Sequence, residues 1–140
     1  MSDLNQDIAD VEDALIGSVI DQKYKIISRI GGGGMGAIYK AEHTLMQRTV
    51  AIKLLRPQAT LDNSNQADFL KRFEREARAA SQIEHPNAVM IYDFGINNGT
   101  AYLVMQHVEG QSLKSLIRER GALTLKEATE IIKQICGAVH

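Results

Sequence analysis

The sequence predicts an α+β fold in which strands come first and helices follow, and three observations carry that prediction. A glycine-rich run, Gly31-Gly32-Gly33-Gly34-Met35-Gly36, leads into Ala37-Ile38-Tyr39-Lys40-Ala41-Glu42, which alternates at period two, and then into a second β-rich run over residues 49–55. Over residues 66–83, Phe69, Phe73, Ala77, Ala80 and Ile83 recur at spacings of three and four, the mark of an amphipathic helix. A second helical stripe, Ala128, Ile131, Ile132, Ile135 and Val139, follows the capping-box sequence Thr124-Leu125-Lys126-Glu127.

Composition sets the bounds. A chain of 140 residues with 44% apolar content is long enough for one globular domain, and a net charge of −1 offers no electrostatic case for nucleic acid or an anionic membrane. Cys136 is the single cysteine, so no disulfide framework is expected and a reducing, cytoplasmic location fits. His43, His85, His107 and His140 are scattered without metal-ligand spacing. No signal-peptide pattern and no run of eighteen apolar residues occurs, so no membrane span is expected in this segment.

Residues 1–18 are acidic through Asp3, Asp7, Asp10, Glu12 and Asp13, and Leu4, Ile8, Val11 and Leu15 fall at helical spacings. Either a frayed tail or a short amphipathic helix ending near Gly17 satisfies that pattern, since helices of this length are marginal alone.

The glycines then carry the chemistry. In a dinucleotide-binding unit the last glycine would open a helix, and in a P-loop the run would end in Gly-Lys followed by Ser or Thr. Neither occurs here, and the alternation on the far side places the glycines in a hairpin turn between strands. Such a turn can fold over nucleotide phosphates and offer backbone N–H groups without side-chain obstruction, while Lys53 on the neighbouring strand supplies positive charge.

At this point a resemblance is plain. Gly31-x-Gly33-x-x-Gly36-x-Ile38 followed by Val50-Ala51-Ile52-Lys53 resembles the first part of a protein kinase of the bacterial serine/threonine type, which often reads Gly-Gly-Met-Gly in this loop. The resemblance covers roughly residues 19–140. It implies a small lobe with a five-stranded antiparallel sheet and one regulatory helix, followed by two helices of a truncated large lobe. The corresponding boundaries are an acidic tail over 1–18, the small lobe over 19–105, a hinge over 106–110 and the start of the large lobe over 111–140.

It also implies roles. ATP would lie beneath Gly31, Gly32, Gly33, Gly34, Met35, Gly36 and Ala37, with Lys53 on its phosphates and Glu76 holding Lys53. Glu76 is chosen because Phe73-Glu74-Arg75-Glu76-Ala77 matches the family's helical pattern, and because helical spacing sets it beside the apolar face, where a carboxylate needs a partner. Ser64 or Asn65 would cap that helix, and residues 56–65 read as a polar loop that is long for the family. Ile30, Ile38 and Ala51 would sandwich the adenine. Along the hinge, the Gln106 carbonyl and the Val108 N–H would bond the base, Met105 would guard the pocket behind it, and Glu109 would approach the ribose.

His85-Pro86-Asn87 resembles the family's turn into the fourth strand, expected over residues 88–94, with the fifth strand over 100–105 after Asn97-Asn98-Gly99. Asp93-Phe94-Gly95 spells the family's magnesium-binding triplet but precedes the fifth strand, so it is not expected to bind the metal. Ser112 to Arg120 should form a helix closed by Gly121. No His-Arg-Asp catalytic loop is present, so the catalytic base and the magnesium ligands are expected beyond His140, in a longer kinase that transfers the ATP γ-phosphate to protein hydroxyls. These 140 residues alone are expected to be inactive. The alternative is a non-catalytic nucleotide-binding regulatory module or pseudokinase. A relative of the aminoglycoside phosphotransferases fits less well, because the Gly-Gly-Met-Gly loop is combined with His85-Pro86-Asn87.

Overall fold

The computed structural model describes residues 14–33, 36–56 and 63–139. The tail or helix expected before Gly17 lies largely outside the described residues. Among the described residues, six strands and three helices follow in chain order: β1 (Val19–Ile20), β2 (Tyr24–Gly33), β3 (Gly36–His43), β4 (Arg48–Leu55), α1 (Asn63–Ala80), β5 (Ile91–Asn97), β6 (Thr100–Gln106), α2 (Leu113–Arg120) and α3 (Leu125–Val139). The sheet is antiparallel throughout, with strand order β1-β2-β3-β4-β6-β5. Five strands were expected; the sixth, β1, has two residues, too few to show a period in sequence.

Pairing register separates the two faces of the sheet. Ile38, Lys53, Leu103 and Phe94 stand opposite one another across β3, β4, β6 and β5, so they share a face. Tyr39, Ile52, Val104 and Asp93 form the adjacent row, on the other face. That second face is the core, where Tyr39, Ile52 and Val104 have no exposed surface and Ile26, Tyr24 and Tyr102 pack with them. The sheet curls around this core. Although β2 and β5 lie four places apart in the strand order, the Tyr24 hydroxyl donates to Asp93 at 2.7 Å, and the Tyr102 hydroxyl donates to Asp21 in the β1–β2 turn at 2.7 Å. Lys23 bridges the two carboxylates, at 3.1 Å from Asp21 and 3.5 Å from Asp93.

The helix α1 lies on the outer face, where Phe73 meets Phe94 edge-on with ring centroids 6.4 Å apart. Its apolar side is the expected one, with Ala77 buried and Phe69, Phe73 and Ala80 half-buried. Its ends differ from expectation. It begins at Asn63, so Ser64 and Asn65 are helical rather than capping, and it stops at Ala80. Beyond Ala80 the backbone tightens, because Gln82 and Ile83 donate to the carbonyls three residues back, at 3.2 and 3.1 Å. Ile83 is therefore outside the helix and half exposed.

Strand β5 begins at Ile91 rather than at residue 88 and runs on to Asn97. The Ala88 N–H donates to the His85 carbonyl at 3.1 Å, so the turn consumes the residues before it. Asn98 and Gly99, with φ of 50° and 76°, form the two-residue hairpin that Asn-Gly favours. Helix α2 has Ser112 at its N-cap and Gly121 at its C-cap, where φ is 80° and the N–H donates to the Ile117 carbonyl at 2.8 Å. Helix α3 opens with a complete capping box. The Glu127 N–H donates to Thr124 Oγ1 at 3.2 Å, and the Thr124 N–H donates to Glu127 Oε2 at 3.0 Å.

Candidate functional site: the glycine hairpin and Lys53

The hairpin between β2 and β3 closes with Gly33 opposite Gly36, as the alternation in sequence implied, while Gly34 and Met35 lie outside the described residues. Two of its glycines are dictated by space. At Gly36 a Cβ would sit 2.4 Å from the Leu54 carbonyl oxygen of β4, closer than any side chain can approach. At Gly32, φ is 149° and a Cβ would lie 2.9 Å from the Gly36 carbonyl oxygen. At Gly32 and Gly36 the hairpin is thus bare backbone, and at Gly36 it lies tight against β4, the strand that carries Lys53.

Lys53 is half-buried in the middle of the outer face, between Ile38 on β3 and Leu103 on β6. One step along the same face comes the row Lys40, Ala51 and Met105, with Ile91 beside Met105. Ala51 is buried, Met105 and Ala37 lie within the sheet, and Ile30, beside the paired residues Gly31 and Ile38, is half exposed. Strand pairing therefore collects Ile38, Ala51, Lys53 and Met105 on one surface beside the glycine hairpin. Leu103 and Phe94 belong to the same row, which single-strand periodicity does not reveal because it is set by register between strands.

Glu76 is on α1, the helix that packs on this face, and is exposed. Among the described residues no ion pair joins it to Lys53. The strand β6 ends at Gln106, whose N–H donates to the Met90 carbonyl at 2.8 Å; Val108 and Glu109 follow as exposed residues of the connection to α2.

Asp93 stands on the core face, opposite to Lys53, and is engaged by Tyr24, Lys23 and its neighbour, the Phe94 N–H at 2.9 Å. Gly95 is glycine for a local reason: a Cβ there would lie 2.7 Å from the Tyr102 hydroxyl. The triplet Asp93-Phe94-Gly95 is built into the sheet. Among the described residues there is no group of three His, Cys, Asp or Glu side chains able to hold a metal.

Two concavities lie elsewhere. One of about 590 Å³ runs along α1 between Lys71, Glu74, Arg75, Arg78, Ala79 and Gln82. Another of about 430 Å³ lies where residues 86–89 and the end of β6 meet α3, and Asn87 Nδ2 donates to the Gln134 carbonyl there at 3.1 Å. Lys53 lines neither, since the outer face beside it is open.

A curled antiparallel sheet with a glycine hairpin, a strand lysine on its outer face and one helix packed there, followed by two further helices, is the small lobe and first large-lobe helices of a kinase fold. The chain belongs to the protein kinase domain family, whose pattern matches residues 24–140. It is 46% identical over 125 residues to the serine/threonine-protein kinase PrkC of Bacillus subtilis (strain 168), an alignment spanning 89% of this chain and 19% of that protein. It is 39% identical over 132 residues to the serine/threonine-protein kinase PknH of Mycobacterium tuberculosis (strain ATCC 25618 / H37Rv), spanning 94% of this chain and 20% of that protein. Among solved structures, a Mycobacterium tuberculosis PknI kinase domain superposes with a TM-score of 0.75 at 26% identity, covering 89% of this chain and 49% of that one. The chain thus spans about a fifth of the length of the curated relatives it matches.

Proposed function

We propose that this chain supplies the ATP-binding surface of a serine/threonine protein kinase that transfers the γ-phosphate of ATP to protein hydroxyls. The observation that supports this most directly is the placement of Lys53 at the centre of the outer face, beside a hairpin that has no room for side chains at Gly32 and Gly36. Backbone N–H groups of the hairpin, Gly31 through Ala37, would bond the phosphates, and Lys53 would bind them as a fixed cation. Ile30, Ile38, Ala51 and Met105 would hold the adenine, with the Gln106 carbonyl, the Val108 N–H and Glu109 as polar anchors. Glu76 would draw Lys53 into place from α1. In this assignment the small lobe covers residues 19–105, the hinge 106–110 and the start of the large lobe 111–140.

ATP suits the residues present, since Gly31, Gly32 and Gly36 put no side chain between the hairpin's backbone N–H groups and a phosphate. Magnesium does not fit the described residues, since Asp93 is on the core face and engaged there. The protein substrate and a cytoplasmic setting belong to the same proposal. Titration calorimetry with ATP tests it. Lys53→Met should weaken binding about 10- to 100-fold, the loss of one hydrogen bond to a charged group at about 1.5–3 kcal/mol, while the circular dichroism spectrum is unchanged. An unaltered affinity, against measurable binding by the parent chain, would refute the role of Lys53.

A further inference from the structure

The cavity of about 590 Å³ along α1 belongs to no part of the nucleotide site. Its cations Lys71, Arg75 and Arg78 are spaced by four and three residues and form one stripe on the helix, interrupted by the single carboxylate of Glu74. All are exposed, and among the described residues none of the three cations takes part in an ion pair. Ala79 and the methylene stems of the basic residues give the groove an apolar floor.

The complement lies in the same sequence. Residues 1–13 contain Asp3, Asp7, Asp10, Glu12 and Asp13 and no lysine or arginine. Asp3, Asp7 and Asp10 repeat the same spacing of four and three, and Leu4, Ile8 and Val11 run one position behind them. The attachment point is close enough. Residues 17 and 18 are held to β2, with the Gly17 N–H donating to the Ile26 carbonyl at 2.8 Å, and the Tyr24 side chain of β2 spans to Asp93 on β5. Strand β5 is the sheet edge against whose outer face α1 packs, so a segment leaving residue 14 need only pass that edge to reach the helix. Thirteen residues extend at most about 45 Å, ample for the path.

We infer that the acidic segment 1–13 docks in the basic groove of α1 formed by Lys71, Arg75 and Arg78, placing a charge-dependent strap on the helix that carries Glu76. The tether supplies an effective concentration in the millimolar range, so individually weak surface ion pairs suffice, and added salt weakens the contact by shortening the screening length. Docking there would bias the position of α1 from outside the nucleotide site.

Paramagnetic relaxation in the whole chain tests this, with a nitroxide on Ser2→Cys in a Cys136→Ser background. Amide signals of residues 71–82 should lose at least half their intensity relative to the reduced label, and recover with Arg75→Glu/Arg78→Glu or at 0.5 M salt. Adding Asp7→Arg/Asp10→Arg to the reversed groove should restore the loss. Broadening at another surface, no localised broadening, or broadening unchanged by the reversal would overturn the inference. So would broadening that arises only between labelled and unlabelled copies, which would make the occupant a second molecule.

Discussion

At Gly36 the space for one methyl group controls whether the hairpin can close. Its Cβ position is 2.4 Å from a backbone oxygen of β4, and backbone cannot swing aside as a side-chain tip can. Gly36→Ala should therefore destabilise the fold by about 1–3 kcal/mol, the usual cost of overpacking, with a lowered midpoint in urea unfolding as the measure. A glycine run can be seen in sequence, but which glycines are dictated by space cannot, because the obstructing atom at Gly36 belongs to a residue eighteen positions away. The Asp93-Phe94-Gly95 triplet makes the same point from the other side. Its order relative to the strands argued against metal binding, and the register supplies the physical reason: Asp93 and Phe94 point to opposite faces, one to the Tyr24–Lys23 cluster and the other to α1.

Elements whose stability is local were legible, and elements bounded by packing were not. The capping box of α3 and the Gly121 cap of α2 use residues within four positions of each other, so composition alone locates them. Glu127 also accepts from Arg120 at 2.8 Å; the Thr124 N–H first, and then Arg120, holds its carboxyl below the usual range. Thr124→Ala removes the hydroxyl that accepts the Glu127 N–H and should cost about 1 kcal/mol, seen as a lower thermal midpoint, while Thr124→Ser should retain most of it. The start of α1 at Asn63, the end at Ala80 and the late start of β5 were displaced from expectation by three residues each. Termini are where the helical period no longer constrains the chain, and the turn over residues 85–88 took residues whose side chains suit a strand.

For the molecule as a whole, the Asp21–Lys23–Tyr24–Asp93–Tyr102 cluster closes the curled sheet, and its protonation should shape stability against pH. Asp21 is held below the usual carboxylate range, first by the Tyr102 hydroxyl and then by Lys23. A depressed carboxyl contributes stability above its unfolded value near 3.8 and loses it as pH falls through the lower folded value. Tyr24 and Tyr102 are raised above the ordinary tyrosine value of 10, chiefly by burial and then by their carboxylate partners. Their contribution is complete below pH 10 and falls as pH rises beyond it, because the unfolded phenols ionise first. Thermal midpoints should therefore decline on both the acid and alkaline sides, and Asp21→Asn should flatten the acid limb below about pH 4 relative to the parent chain. An acid limb identical in both would show that Asp21 does not carry this linkage.

The sequence by itself determined the order of the longer elements, the glycine hairpin with its strand lysine, the α1 stripe and the caps of α2 and α3, because each depends on residue types at fixed short separations. Only the tertiary structure decided that Lys53 and Asp93 lie on opposite faces, that Gly36 abuts Leu54, and that Tyr24 and Tyr102 reach across the curled sheet. Those are contacts between residues far apart in the chain, set by strand register and by how tightly the sheet curls, and neither quantity is written in any single segment.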